Sequence, residues 1–275
     1  YGVPLSLFNL KQSDKFGVFE VGMDKKGEID NLTKIIKPNL GIITNISYAH
    51  SENFKNIRQI ADAKAEIMNN IEKNGTIILN GDDHFYNYHK NFAFKKKLNV
   101  ISFSIKNKSS MIKLIKIKKL KNKYELFFNI NGSSFSFYSF SNNKNNLYNL
   151  LATLATINFY FDLSIFKKDI FLDLKIPNGR GDISKVNFKN KQIFFVDESY
   201  NSNPLSLKTA IENFDNIKLK SCKKYLILGD MLELGKNSLK QHKLISKIIN
   251  KTKINQVYVI GKYIKETFKG LKINK

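Results

Sequence analysis

Leu40-Gly41-Ile42-Ile43-Thr44-Asn45-Ile46 is an apolar run that turns polar toward its end. It is followed by Ile57 to Ile71, where apolar side chains recur at positions 57, 60, 61, 67, 68 and 71. That spacing is one stripe of an α-helix. Gly75 to Leu79 then supplies another short apolar run. A strand, a helix and a strand in that order predict parallel neighbours in an α/β sheet, because the helix returns the chain to the same edge. Phe16-Gly17-Val18-Phe19 reads as a further buried strand ahead of them.

Downstream the texture changes. Val100-Ile101-Ser102-Phe103, Leu126 to Ile130 and Phe135 to Phe140 read as antiparallel strands, with Asn131-Gly132 as a hairpin turn. Leu147 to Tyr160 forms an apolar helix. Pro177-Asn178-Gly179-Arg180-Gly181 then breaks the pattern, which predicts two domains, 1–177 and 178–275. The second alternates again: strand 193–196, helix 205–214, strand 225–228, helix 238–250 and strand 257–260, a Rossmann-like α/β arrangement. At 275 residues the chain is long enough for two cores.

Composition bounds the function. Lys and Arg number 46 against 23 Asp and Glu, a formal charge of +23 that invites a nucleic-acid reading. Arg58 and Arg180 are the only arginines, however, and the lysines are spread through every segment. Readers of base edges rely on arginine forks, so a diffuse solvated lysine surface is favoured over a specific nucleic-acid site. The single cysteine, Cys222, excludes an internal disulfide and fits a reducing, cytoplasmic setting. No apolar run approaches the ~20 residues that span a bilayer.

Several residues do not suit a packing role. Lys64 falls in the middle of the helical stripe, where it either snorkels outward or serves a buried anion or ligand. Glu20 closes Phe16 to Phe19, and a carboxylate at a strand end asks for a cation. His50 follows the Leu40 run, so Glu20 and His50 stand at the ends of adjacent predicted strands. Mg²⁺ needs only a few such ligands, mainly oxygen. Asn80-Gly81-Asp82-Asp83 reads as a turn or as a nucleotide contact. Arg180, between two glycines, suits a phosphate or a hinge salt bridge. After the apolar run 193–196, Asp197-Glu198-Ser199-Tyr200-Asn201-Ser202-Asn203-Pro204 reads as a ligand-binding loop at the carboxyl end of a buried strand. Gly229 to Asn237 only superficially suggests a triphosphate loop: it is one residue too long, carries two acids and ends in Asn237 where a hydroxyl is required.

Taken in order, these stretches resemble the Mur ligase family of ATP-dependent amide-forming enzymes. The resemblance runs through Gly2 to Leu5, Glu20 to Met23, Gly27 to Ile29, Thr44 to His50, Lys64 to Ile67, Asn80 to Asp82, Asn146, Asn149, Gly179-Arg180, Asp197 to Pro204 and Gly229 to Gly235. It implies a central ATPase domain with a mostly parallel sheet plus a small antiparallel one, followed by the Rossmann-like domain. It also gives the odd residues roles. Lys64 matches a lysine that becomes a carbamate and, with Glu20 and His50, holds Mg²⁺. Asn146 and Asn149 match asparagines near the adenine of ATP, Arg180 a phosphate contact and Asp197 a ribose contact, with Asn80 and Asp82 as weaker nucleotide contacts. Tyr200, Asn201 and Asn203 lie where the incoming acceptor approaches. The stretches 199–204 and 229–235 point to the branch that joins D-alanyl-D-alanine to a UDP-N-acetylmuramoyl-tripeptide, rather than a diaminopimelate- or lysine-adding branch. The resemblance further implies a cytoplasmic monomer in cell-wall synthesis. Asn145 departs from the family's usual histidine, and the glycine-rich phosphate loop is absent. The chain therefore reads as a truncated ligase, with little or no activity by itself.

Overall fold

The computed structural model describes residues 2–48, 51–174, 177–189, 191–218 and 222–272. The chain divides into two compact units, Tyr1–Ile46 with Asn53–Leu172, and Ser47–Glu52 with Asp173–Lys275.

In the first unit, α1 (Gly2–Phe8) and α2 (Glu28–Ile36) precede β1 (Leu40–Ile43), α3 (Ile57–Ala65), β2 (Thr76–Asn80), α4 (Tyr86–Lys95) and β3 (Asn99–Ser104). Three more strands, β4 (Ile112–Lys119), β5 (Tyr124–Ile130) and β6 (Ser133–Ser139), lead into α5 (Lys144–Tyr160). All six strands form one sheet in sequence order. β1 to β4 are parallel, and β4 to β6 antiparallel. Every residue of β2 is buried. Ile77 and Leu79 pack with Ile60 and Ala61 of α3, while Ile78 packs on the other side with Leu151 and Leu154 of α5. A strand covered on both faces reads as a continuous apolar run, which is why 75–79 shows no alternation.

The α3 stripe is as its spacing predicts, with Ile60, Ala61 and Met68 buried. Regular helix stops at Ala65, and Glu66–Asn69 form a tighter 3-10 turn instead of the expected helix to 71. That turn aims the buried Glu66 carboxylate at the start of α2, where it accepts from Gly27 N at 2.8 and 2.9 Å and from Asp30 N at 3.3 Å. An anion there satisfies amides that lack helical partners.

The second unit contains β7 (Asp182–Phe188), β8 (Lys191–Asp197), α6 (Pro204–Asn216), β9 (Tyr225–Gly229), α7 (Ser238–Ile249), β10 (Gln256–Ile260) and α8 (Lys265–Lys269). β9 and β10 pair in parallel across the α7 crossover. Leu228, Val257, Ile245, Ile249 and Ile211 form the core beneath them.

Three strand expectations are corrected. Phe16 to Phe19 belongs to no strand: Val18 is 94% exposed, and Phe16 instead sets its ring edge-on to Tyr160 at 5.0 Å. An apolar run without a ladder partner cannot satisfy its backbone as a strand. Val100 to Phe103 is parallel, not antiparallel, because α4 returns the chain before β3 begins. The run 193–196 is not a buried strand of a parallel sheet. It pairs antiparallel with β7 in a separate two-stranded hairpin, and Phe195 is 50% exposed. The Asn131-Gly132 turn has φ of 50° and 92°, both positive as a two-residue hairpin requires.

Candidate functional site

At the carboxyl ends of β1 and β2, side chains from the second strand grip the chain leaving the first. Asn80 donates from Nδ2 to Thr44 O at 3.0 Å, and its Oδ1 accepts from Asp82 N at 2.9 Å. Asp83 accepts from Ile46 N through Oδ2 and from Phe85 N through Oδ1, each at 2.8 Å. Between these ties, Lys64 reaches over from α3 and donates from Nζ to Asn45 O at 3.4 Å. Lys64 is half-buried, and desolvation pulls its pKa below the usual lysine range; attraction to Asp83 and Glu20 opposes the shift without cancelling it. Burial disfavours the ammonium, so the neutral, nucleophilic amine is more accessible here than on an open surface.

Glu20 is exposed and lies close enough to attract the Lys64 charge. His50 lies outside the described residues. Among the described residues, no three His, Cys, Asp or Glu side chains converge as a ready-made metal cage. Mg²⁺ does not ask for one: it takes one or two carboxylates and completes its shell with water and phosphate, so an exposed carboxylate such as Glu20 fits it.

Asn146 and Asn149 stand one turn apart near the start of α5. Asn146 donates to Ser141 Oγ at 3.0 Å, and Asn149 is exposed. Asp82 is engaged within the protein through both carboxylate oxygens. It accepts from the backbone amides of Ile105 at 2.7 Å, Lys106 at 2.9 Å and Asn107 at 2.8 Å, and from the Tyr148 hydroxyl at 2.9 Å. Burial, and then the bond to Asp82, push the Tyr148 phenol pKa up.

In the second unit, Arg180, Asp197 and Tyr200 come together. The amide of Gly181 donates to Asp197 O at 2.7 Å, and that of Tyr200 to Gly179 O at 3.1 Å. The Arg180 guanidinium then stacks 4.2 Å from the centroid of the Tyr200 ring, a cation–π pair. Gly179 has φ of +74°, and a Cβ there would sit 2.9 Å from Tyr200 N. Hydrogen bonds from Ser199, including its amide at 2.9 Å, hold the Asp197 carboxyl below the usual carboxylate range. Asn201 accepts from Ser202 N at 2.7 Å. Asn203 caps α6, accepting from Leu205 N and Ser206 N at 3.0 Å, while Ser206 Oγ accepts from Asn203 N at 2.9 Å. Pro204 at the first helical position completes that start.

The Gly229 to Gly235 stretch is built as a brace, not a phosphate loop. Asp230 accepts from the amides of Lys262, Tyr263 and Ile264 at 2.7–2.9 Å. The fully buried His242 accepts from Met231 N through Nε2 at 2.9 Å, so its proton sits on Nδ1, which donates to Ser238 O at 2.7 Å. Asp83 belongs to the polar stretch Asn80 to Asp83 already marked by its composition, whereas nothing in the local sequence distinguishes Tyr148 or His242.

Comparison with known proteins agrees with this architecture. The Mur ligase middle domain family matches residues 1–157. The chain is 35% identical to UDP-N-acetylmuramoyl-tripeptide–D-alanyl-D-alanine ligase of Buchnera aphidicola subsp. Baizongia pistaciae, covering 96% of this chain and 56% of that protein. It is 33% identical to the ligase of the same name from Rickettsia prowazekii, covering 96% and 58%. The chain thus spans little more than half the length of these relatives. In fold it is similar to MurF from Acinetobacter baumannii, with a TM-score of 0.86 at 23% identity over 98% of this chain and 57% of that one. It is likewise similar to the Thermotoga maritima MurF ligase determined in complex with ADP, with a TM-score of 0.78 at 24% identity over 94% and 57%. With a family match over more than half its length and the same sheet architecture, this chain belongs to the Mur ligase family.

Proposed function

We propose that the protein is an ATP-dependent amide ligase of cytoplasmic peptidoglycan precursor synthesis, working as a monomer, that joins D-alanyl-D-alanine to a UDP-N-acetylmuramoyl-tripeptide. The relatives named for that reaction support the choice of substrates, and the ADP bound to the Thermotoga maritima enzyme supports the nucleotide. The observation that carries the reading is Lys64, an amine with a lowered pKa at the ends of two parallel strands, beside Asp83 and Glu20. Such an amine adds CO₂: its lone pair forms the N–C bond, a proton leaves nitrogen, and a carbamate anion replaces a cation. Glu20, His50 and the Lys64 carbamate would then hold Mg²⁺, which when bound neutralises phosphate charge.

The reaction has two steps. A tripeptide carboxylate oxygen attacks the γ-phosphorus of ATP, and ADP leaves. The dipeptide amine then attacks the acyl-phosphate carbonyl, loses a proton and expels phosphate as the amide forms. Chemistry of this kind asks the protein mainly for positioning and charge neutralisation. In the first unit, Asn146 and Asn149 serve the adenine, with Asn80 shaping the neighbouring strand end. In the second, Arg180 serves the phosphates, Asp197 the ribose, and Tyr200 and Asn201 the incoming dipeptide. Asn203 supports that loop as a helix cap.

Phosphate release tests the reading. With ATP, Mg²⁺ and the UDP-tripeptide, D-alanyl-D-alanine is expected to stimulate release by the full-length protein. Stimulation by diaminopimelate or lysine with a UDP-dipeptide would move it to another Mur branch. Absence of both, with tight and steeply salt-dependent nucleic-acid binding, would overturn the ligase assignment.

A further inference from the structure

Asp82 accepts four hydrogen bonds from its own protein. A carboxylate offers about four acceptor positions, and this one is met by three successive backbone amides, 105 to 107, and by the Tyr148 hydroxyl. Three of these donors meet Oδ2 and one meets Oδ1, so much of the carboxylate's acceptor capacity is turned toward its own protein. The groups it joins come from three places: the turn after β2, the loop between β3 and β4, and helix α5.

The first two are already locked together. Gly81 N donates to Phe103 O at 2.7 Å, and Asn107 Nδ2 to Gly81 O at 3.2 Å. A Cβ on Gly81 would collide with Ser110 Oγ at 2.4 Å, so the two turns are closely apposed. The helix is held differently. Its buried Leu147, Leu150, Leu151 and Leu154 rest on the sheet, and apolar contact is non-directional. It fixes which face α5 turns to the sheet but is less selective about the helix's shift along its own axis. The Tyr148 hydroxyl, donating to an anion pinned by three amides, supplies that directional constraint. Tyr148 lies between Asn146 and Asn149 in the same turn of helix.

We infer that Asp82 is a positioning residue which, through the Tyr148 hydroxyl, sets the register of α5 and so the placement of Asn146 and Asn149 against the nucleotide. This rests on the proposed adenine role of those asparagines and deepens it: affinity for ATP depends on a bond that touches no ligand.

The test uses the full-length ligase and steady-state kinetics with ATP varied. Tyr148→Phe removes one hydroxyl and leaves the ring packing intact. It is expected to raise KM for ATP about tenfold, which is what one hydrogen bond to a charged group is worth, while kcat falls less than about twofold. Asp82→Asn should do the same or more, and the double variant should be no worse than Asp82→Asn alone, because both act through one bond. Three results would overturn the inference. If Tyr148→Phe leaves KM unchanged while Asn146→Ala raises it, the clamp is wrong and the adenine role stands. If Asn146→Ala also leaves KM unchanged, the adenine role fails and the clamp falls with it. If Asp82→Asn costs as much with Phe at position 148 as with Tyr, Asp82 acts by another route. Thermal melts of each variant separate a folding defect, which would lower the active fraction and not KM.

Discussion

The Lys64 ammonium lies 3.4 Å from the carbonyl oxygen of Asn45, a bond from the last turn of α3 to the chain just beyond β1. It explains how a lysine occupies an apolar stripe. Ile60, Ala61 and Met68 of the same stripe are buried in the core, while the Lys64 nitrogen lies where two parallel strands end, near the Asn45 carbonyl and within the attraction of Asp83 and Glu20. The position in the stripe and the polar partner at its tip are thus compatible in one side-chain path.

Replacing Lys64 by Ala is expected to cost about a hundredfold or more in amide formation, as loss of a positioning group does. Short carboxylates added to the assay should restore part of it by standing in for the carbamate. An unimpaired variant would return Lys64 to a purely structural role.

The depressed Lys64 pKa has a sign that can be checked. Between the folded and unfolded pKa values the unfolded chain binds more protons, so stability rises with pH in that window, which ends near the ordinary lysine value of about 10.4. Lys64→Met should be more stable than the parent protein at neutral pH, by a margin that shrinks as pH climbs toward 10. Urea midpoints at pH 7.5 and 9.5 measure this; a margin independent of pH would contradict it.

His89 provides an acid-side counterpart. It is buried, its Nε2 lies 3.0 Å from Ala61 O, and desolvation pulls its pKa below the usual histidine value, with the Ala61 bond opposing. The folded state again holds fewer protons, so stability is lost as pH falls below about 6.5 toward the folded value. His89→Gln should flatten this loss, seen as urea midpoints that change less between pH 7 and 5.

Gly179→Ala places a side chain at a φ of +74° and brings its Cβ to 2.9 Å from Tyr200 N. The expected cost is about 1–2 kcal/mol from the left-handed backbone alone, together with displacement of the Arg180–Tyr200 stack. Thermal melting would report the total cost, and repeating the substitution in a Tyr200→Leu background, which lacks the stack, would separate the two effects.

Asn203→Ala should lower stability by about 1 kcal/mol through loss of the α6 cap, whereas Asn203→Asp should be nearly silent. If Asn203→Asp instead abolished dipeptide-stimulated phosphate release with stability intact, the residue would regain a direct substrate role.

Local chemistry made part of this protein readable from its residues. The turn at Asn131-Gly132, the α3 stripe and the apolar 77–79 each follow from φ preferences or burial within a few neighbouring residues, and the structure reproduces them. The Lys64 anomaly was visible for the same reason, since a single polar position within a regular stripe needs no partner to be noticed. What lay beyond local reading was pairing. Phe16 to Phe19 and Ile193 to Val196 carry the same apolar signal as Ile77 to Leu79, yet among the described residues one joins no strand ladder and another forms a half-exposed hairpin, because a strand is completed only by a second strand. Asp82 and Asp83 make the point at the site itself: adjacent, chemically identical residues, one spent on holding α5 and the other on tying the ends of β1 and β2 beside Lys64. Side-chain type and spacing decided which segments would be buried and which polar groups were out of place; only the meeting of distant segments decided which hydrogen-bond partners each carboxylate would find.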